Sequence, residues 1–137
     1  MSFENDLLTG LMSRKSFQDV FDQALEKHKA GETPLSLAFI DIDNFLQINE
    51  TYGHAGGDQV LQAVAGILRE CAGEEAAVCR YGGDEFALLF PATEREQAFL
   101  LVEKMRGQAA EREIARAGAA GKVAGISISA GIACAPI

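Results

Sequence analysis

The stretch Arg80-Tyr81-Gly82-Gly83-Asp84-Glu85-Phe86 lies between two short apolar runs, Ala77-Val78-Cys79 and Ala87-Leu88-Leu89-Phe90. Runs of that length joined by a glycine-rich turn read as a β-hairpin, here with an acidic tip. A turn needs no carboxylates. Glycine supplies backbone freedom and omits the Cβ that would keep a bulky ligand away, while Asp84 and Glu85 put negative charge where a hard cation can sit. Gly and Asp also suit any hairpin turn, so the tip alone is equally compatible with a plain solvated loop. A second acidic pair changes that balance. Asp41-Ile42-Asp43 closes the run Leu35-Ser36-Leu37-Ala38-Phe39-Ile40, which is apolar on both faces in the manner of a central, doubly covered strand. Strand side chains alternate, so Asp41 and Asp43 project to one side unless the chain bends there.

The flanking segments supply the rest of a mixed fold. Asp6-Leu7-Leu8-Thr9-Gly10-Leu11 reads as an entry turn, and Ser13 as the N-cap of a helix with Phe17, Val20, Phe21, Ala24 and Leu25 on one face, ending near Ala30-Gly31. Asn44 to Asn49 predicts a short helical segment with Phe45 and Ile48 turned inward. A second helix follows with Asp58 at its start, where a carboxylate can also serve as a cap. Its stripe is Val60, Leu61, Val64, Ile67 and Leu68, and Gly73 stops it. Thr93 and Glu96 have capping-box spacing for a third helix with Ala98, Leu101, Val102 and Met105 inward. Gly107 to Gly121 mixes charge with Ala and Gly, which leaves the end of the third helix open and predicts a surface loop, and Gly125 to Ile132 alternates as a strand. The expected class is α/β (α+β): a palm-like or ferredoxin-like sheet of about five strands flanked by helices, with the acidic signature on a β-hairpin.

The 137 residues make one domain, and 48% hydrophobic content with regular periodicity argues against disorder. The acidic N-terminus carries no basic region followed by an apolar run, and no stretch has membrane-spanning length, so a cytoplasmic location is expected. Cys71, Cys79 and Cys134 are odd in number and lack metal-type spacing, which favours reduced thiols. The net charge of −8 opposes binding to nucleic acid or anionic membranes. A polyphosphate substrate would need divalent metal to relieve the same conflict. If the strand ending in Asp41 lies beside the hairpin, Asp41 and Asp84 meet at one sheet edge, an arrangement suited to one or two Mg²⁺ ions in phosphoryl or nucleotidyl transfer. Two solvated loop ends remain the alternative.

The hairpin signature, together with Asp6-Leu7-Leu8-Thr9-Gly10-Leu11-Met12-Ser13-Arg14, Asp41-Ile42-Asp43-Asn44-Phe45 and Asn49-Glu50-Thr51-Tyr52-Gly53-His54-Ala55-Gly56-Gly57-Asp58, resembles the GGDEF family of diguanylate cyclases over nearly the whole chain. The resemblance implies a single GGDEF domain over residues 1–137 that condenses two GTP into cyclic di-GMP and releases two pyrophosphates. It implies that Asp41, Asp84 and the Ile42 carbonyl bind Mg²⁺ or Mn²⁺, and that Glu85 is a second-metal ligand or base. Asn49 and Asp58 would read guanine, Gly82 and Gly83 would let the backbone approach the phosphates, and the Phe45 N–H would contact the triphosphate. His54 would support the loop fold. Each domain would hold one GTP, so catalysis implies a homodimer, under the control of a sensor domain that this sequence does not display.

Three departures accompany the resemblance. Where the family has lysine, this chain has Leu46. The family's closing helix and strand, with a phosphate-contacting lysine and arginine, have no counterpart before Ile137. The stretch Gly73-Glu74-Glu75-Ala76 lacks the arginine of the family's product-inhibition site, so feedback through that site is not expected. These departures leave a second expectation open: a degenerate domain that binds GTP or transmits a signal without chemistry. A purely structural dimerisation module has no physical need for the acidic cluster.

Overall fold

The computed structural model describes residues 5–31, 33–115 and 122–135. Their elements run α1 (Arg14–Gly31), β1 (Leu35–Ile42), α2 (Phe45–Ala72), β2 (Ala77–Arg80), β3 (Glu85–Pro91), α3 (Arg95–Glu111), β4 (Glu113–Ala115), β5 (Lys122–Ala124) and β6 (Ile128–Ala135). The main sheet has the order β2-β3-β1-β6, with every pair antiparallel. β1, the strand with apolar side chains on both faces, therefore takes a central position. Ala38, Ile40 and Ile42 point into a core formed with Phe86, Leu88 and Phe90 of β3, Val60, Leu61, Val64 and Leu68 of α2, and Val102 and Met105 of α3. Leu35 joins Cys79, Ala87 and Leu89 under Phe17 of α1 on the opposite face. Complete burial of each large side chain contributes about 1.5–3 kcal/mol, so these two layers fix which strand end reaches the surface beside the hairpin.

The mixed class with helices flanking the sheet is as expected, but the main sheet has four strands rather than about five. The four are those the hydrophobic pattern identifies, although the last, expected over Gly125 to Ile132, runs instead from Ile128 to Ala135; the larger number rests on analogy alone. The pattern missed the separate pair β4–β5. The end of the third helix, left open by the sequence between Gly107 and Gly121, falls at Glu111, and β4 follows where a surface loop is expected, while residues 116–121 lie outside the described residues. After β5, the N–H of Gly125 donates to the Arg112 carbonyl (3.2 Å) and that of Ile126 to the Ala109 carbonyl (3.1 Å), which ties the chain across the end of α3. Gly125 does this at φ +69°, a conformation that strains residues with a side chain.

Local signals account for most helix ends. The Ser13 hydroxyl accepts from the Ser16 N–H (3.2 Å), as an N-cap does. Gly73, at φ +88°, ends α2. The capping box of α3 falls one residue later than Thr93/Glu96: Glu94 is the N-cap, and its N–H donates to Gln97 Oε1 at 3.3 Å. Thr93 instead donates to the Pro91 carbonyl (2.8 Å) and accepts the Ser36 hydroxyl on its own carbonyl (2.7 Å). The two helical segments expected between Asn44 and Gly73 are both present within the span of α2 and meet at Gly53, whose φ 77° and ψ 170° are not helical, so the second begins earlier than expected. Asp58 therefore sits beyond the first turn after the kink, and among the described residues it caps nothing.

Candidate active site

Asp41 and Glu85 face one another directly in the β1–β3 register. The hairpin closes just beyond, where the N–H groups of Tyr81 and Gly82 both donate to the Glu85 carbonyl, at 2.8 and 3.2 Å. The Ile42 N–H crosses to the Asp84 carbonyl at 3.2 Å, fastening the end of β1 to the tip. As a result the carboxylates of Asp41, Asp84 and Glu85 offer oxygens all within 4.8 Å of one another. Asp41 and Glu85 are exposed and Asp84 is half-buried. Among the described residues, no hydrogen bond or ion pair reaches any of the three carboxylates. Like charges directly opposite on paired strands repel, so the local backbone and the core beneath it hold the trio together, not the acids themselves.

Asp43 behaves differently. The chain turns at Asp43-Asn44, with Asn44 in the left-handed region (φ 58°), and Asp43 leaves the trio for β6. Its two oxygens accept the hydroxyls of Ser127 and Ser129, each at 2.6 Å. Those two bonds hold its carboxyl below the ordinary carboxylate range, against a small opposing effect of burial, with help from the Arg106 charge.

The two glycines of the tip have different reasons to be there, and neither has positive φ. A Cβ on Gly82 would lie 2.4 Å from Glu85 Oε1, whereas one on Gly83 would meet nothing within 4 Å. Gly82 thus makes room for Glu85, and Gly83 leaves an open approach. A similar close packing sits at the kink of α2. A Cβ on Gly57 would fall 1.8 Å from Asn49 Oδ1 and 3.4 Å from the Phe45 ring, and one on Gly56 would fall 2.6 Å from Tyr52 Cβ. The two glycines let the first half of α2 fold against the second, setting the Asn49 amide beside Gly57, the chain neighbour of Asp58. Asn49 is half-buried and Asp58 exposed. Phe45 opens α2 with its ring packed on the core, and no side chain caps the N–H groups of that first turn. Leu46 beside it is 71% exposed. His54, expected to brace the loop, is exposed, and its ring makes no hydrogen bond among the described residues.

Two residues without an assigned role in the sequence prove central to the tip. The Arg80 guanidinium donates through Nε and Nη2 to the Gly83 carbonyl (3.2 and 2.8 Å), and through Nη1 to Asp6 (3.3 Å to Oδ1). Asp6 in turn accepts from the Thr9 N–H and hydroxyl at 2.8 and 2.7 Å. Burial would raise the Asp6 pKa, but the Thr9 bonds and the Arg80 charge together hold it below the ordinary value. The Asp-x-x-Thr spacing of the entry turn signals the local half of this network; the contact between residues 6 and 80 has no sequence signal. The thiols take no part. Cys71 and Cys79 are buried, and burial pushes Cys79 up to about 11.

A family model described as "Diguanylate cyclase, GGDEF domain" matches residues 4–137. The chain belongs to this family. It is 40% identical over 110 residues to the diguanylate cyclase DgcM of Escherichia coli K12, covering 80% of this chain and 27% of DgcM. It is also 37% identical over 100 residues to the cyclic di-GMP phosphodiesterase NbdA of Pseudomonas aeruginosa, covering 73% of this chain and 13% of that protein. The chain thus spans about a quarter or less of these curated relatives. Among solved structures, the GGDEF domain of DgcB from Caulobacter crescentus in complex with c-di-GMP superposes with a TM-score of 0.92 at 34% identity, over 98% of this chain and 78% of that one. No helix among the described residues is long and apolar enough to cross a membrane.

Proposed function

We propose that this chain is the catalytic domain of a diguanylate cyclase that condenses two GTP into cyclic di-GMP with release of pyrophosphate. The observation that carries this is the trio Asp41, Asp84 and Glu85, within 4.8 Å and without a cationic partner among the described residues, in a member of the GGDEF family. Hard oxygen donors at that spacing fit Mg²⁺ or Mn²⁺. Asp41, Asp84 and the Ile42 carbonyl would hold the ion, which when bound neutralises triphosphate charge and polarises the α-phosphoryl group.

The chain's own residues supply the rest. The amide of Asn49 and the carboxylate of Asp58 offer donors and acceptors that match the Watson–Crick edge of guanine. The Phe45 N–H, at an uncapped helix start, offers a phosphate contact favoured by the helix dipole. Gly83 leaves the tip backbone open to the phosphates, and Gly82 keeps Glu85 in place to serve as a second-metal ligand or to take the proton of the attacking 3′-hydroxyl. One GTP per domain makes the homodimer the working unit, with its pairing set by a sensor domain elsewhere in a longer protein. Arg80 is occupied by Gly83 and Asp6, so it is not counted among the phosphate ligands.

A second reading, a non-catalytic GTP-binding or regulatory domain, is favoured by the exposed Leu46 where the family has a cation, and by the similarity to a protein named for cyclic di-GMP breakdown. The deciding experiment incubates concentrated protein with GTP and Mg²⁺ and detects cyclic di-GMP by chromatography, with Asp84→Asn as control. The cyclase reading expects product that falls by about 10²–10³-fold in the variant, the scale of losing one electrostatic stabiliser. Absence of product from the unaltered chain at high concentration, with GTP binding retained, would favour the regulator.

A further inference from the structure

We infer that Arg80, gripped by Asp6, is a positioning residue that sets the signature tip, and that Asp6 acts on the acidic trio through it from the entry turn, 74 residues away in sequence. The inference deepens the proposed cyclase site. Two of the guanidinium's N–H groups converge on one acceptor, the Gly83 carbonyl, at 3.2 and 2.8 Å. A third reaches Asp6. The peptide thus gripped joins Gly83 to Asp84, and the next carbonyl along, that of Asp84, receives the Ile42 N–H. Arg80 therefore fixes the peptide on one side of the Asp84 side chain while β1 fixes the other.

Asp6 is itself immobilised. Thr9 donates to it twice, and its own N–H donates to the Leu11 carbonyl at 2.7 Å. The entry turn is further tied to β2, with the Met12 N–H on the Val78 carbonyl (3.2 Å) and the Arg80 N–H on the Met12 carbonyl (3.1 Å). Arg69 and Gln62 of α2 hold its other side by donating to the carbonyls of Thr9 and Leu8, at 3.1 Å each. The Arg80 and Asp6 side chains are only 20% and 23% exposed, so the pair is screened less than a surface ion pair. A lysine at position 80 has a point charge in place of a planar fork and cannot serve Gly83 and Asp6 together.

The test uses the whole chain with Arg80→Lys, Asp6→Asn and the double variant. It reads amide hydrogen exchange at residues 42 and 81–85, Mn²⁺ affinity without nucleotide, and kcat and KM for GTP. Loss of one charge-assisted bond sets the scale: each single variant should speed tip exchange by about 10-fold and weaken Mn²⁺ binding several-fold. The rate change should fall on kcat more than on KM. Because one linkage is broken in either case, the double variant should be no worse than the poorer single one. Asp6→Asn with unchanged tip exchange and Mn²⁺ affinity would overturn the inference, as would an Arg80→Lys effect confined to KM, the mark of a direct phosphate contact. If the unaltered chain makes no cyclic dinucleotide, the cyclase reading fails, yet the exchange rates still decide the positioning role.

Discussion

Asp41 and Asp43 are two residues apart at the end of one strand, yet they live in opposite circumstances. Asp43 has a hydroxyl on each oxygen from Ser127 and Ser129, so its charge is spent in holding the turn after β1 to β6. Asp41 faces Glu85 across the ladder and lies within 4.8 Å of Asp84 and Glu85, with no donor from the described residues. One acid stabilises the fold it belongs to. The other is kept in place by the fold despite repulsion, which is the pattern expected where binding, not stability, decides a residue. The flanking supports differ accordingly: side-chain hydroxyls secure the β6 side, whereas the hairpin side relies on backbone bonds and the Arg80 fork.

Substitutions at the two positions should split activity from stability. The largest effect is expected for Asp41→Asn, which removes a metal-binding oxygen and should lower cyclic di-GMP formation by about 10²–10³-fold. The same change removes a like charge opposite Glu85, so the folded state should gain about 0.2–1 kcal/mol at low salt, read as a higher urea midpoint. A lower midpoint would mean that Asp41 is a structural acid like Asp43. Next in size, Asp43→Ala should lower stability by about 1.5–3 kcal/mol in the same titration, since two serine hydroxyls lose a charged acceptor. Ser127→Ala with Ser129→Ala should reproduce most of that loss. If the serine pair costs nothing, the clasp is incidental and the contrast between the two aspartates collapses.

How far these circumstances are visible in the sequence depends on the range of the interactions. Period-two burial in β1 and the stripe of α2 are local, and they place Ala38, Ile40, Val60 and Leu68 where the structure has them. The acidic tip and the end of β1 can be paired in advance because a hairpin beside a central strand leaves few arrangements. The fate of Asp43 cannot, because it depends on hydroxyls 84 and 86 residues away. The link from Asp6 to Arg80, 74 residues apart, is hidden for the same reason. The reason for Gly57 also emerges only when the kink at Gly53 brings Asn49 against it. The α3 cap slipped by one residue since Thr93 and Glu94 both begin patterns with an acceptable third partner, and the Ser36 bond to the Thr93 carbonyl takes part in a contact no local rule contains.

The smallest effect expected is a pH dependence, and it sharpens the same contrast. The Asp43 carboxyl is held below the ordinary carboxylate value by the Ser127 and Ser129 hydroxyls. A folded-state pKa below the unfolded one means that the folded form binds fewer protons between the two values, so stability rises with pH there. The contribution is complete above the unfolded value of about 3.9 and disappears as pH falls through the lower folded one. Urea titrations from neutral pH down into that acid window should therefore show a decline that becomes shallower in Asp43→Asn, with the curves of the two proteins parallel above it. Asp6, lowered in the same direction, adds its own decline in the same window and remains in Asp43→Asn, so the acid loss is reduced and not abolished. Identical curves for the two proteins would show that the two short hydroxyl contacts leave the Asp43 proton equilibrium unchanged on folding.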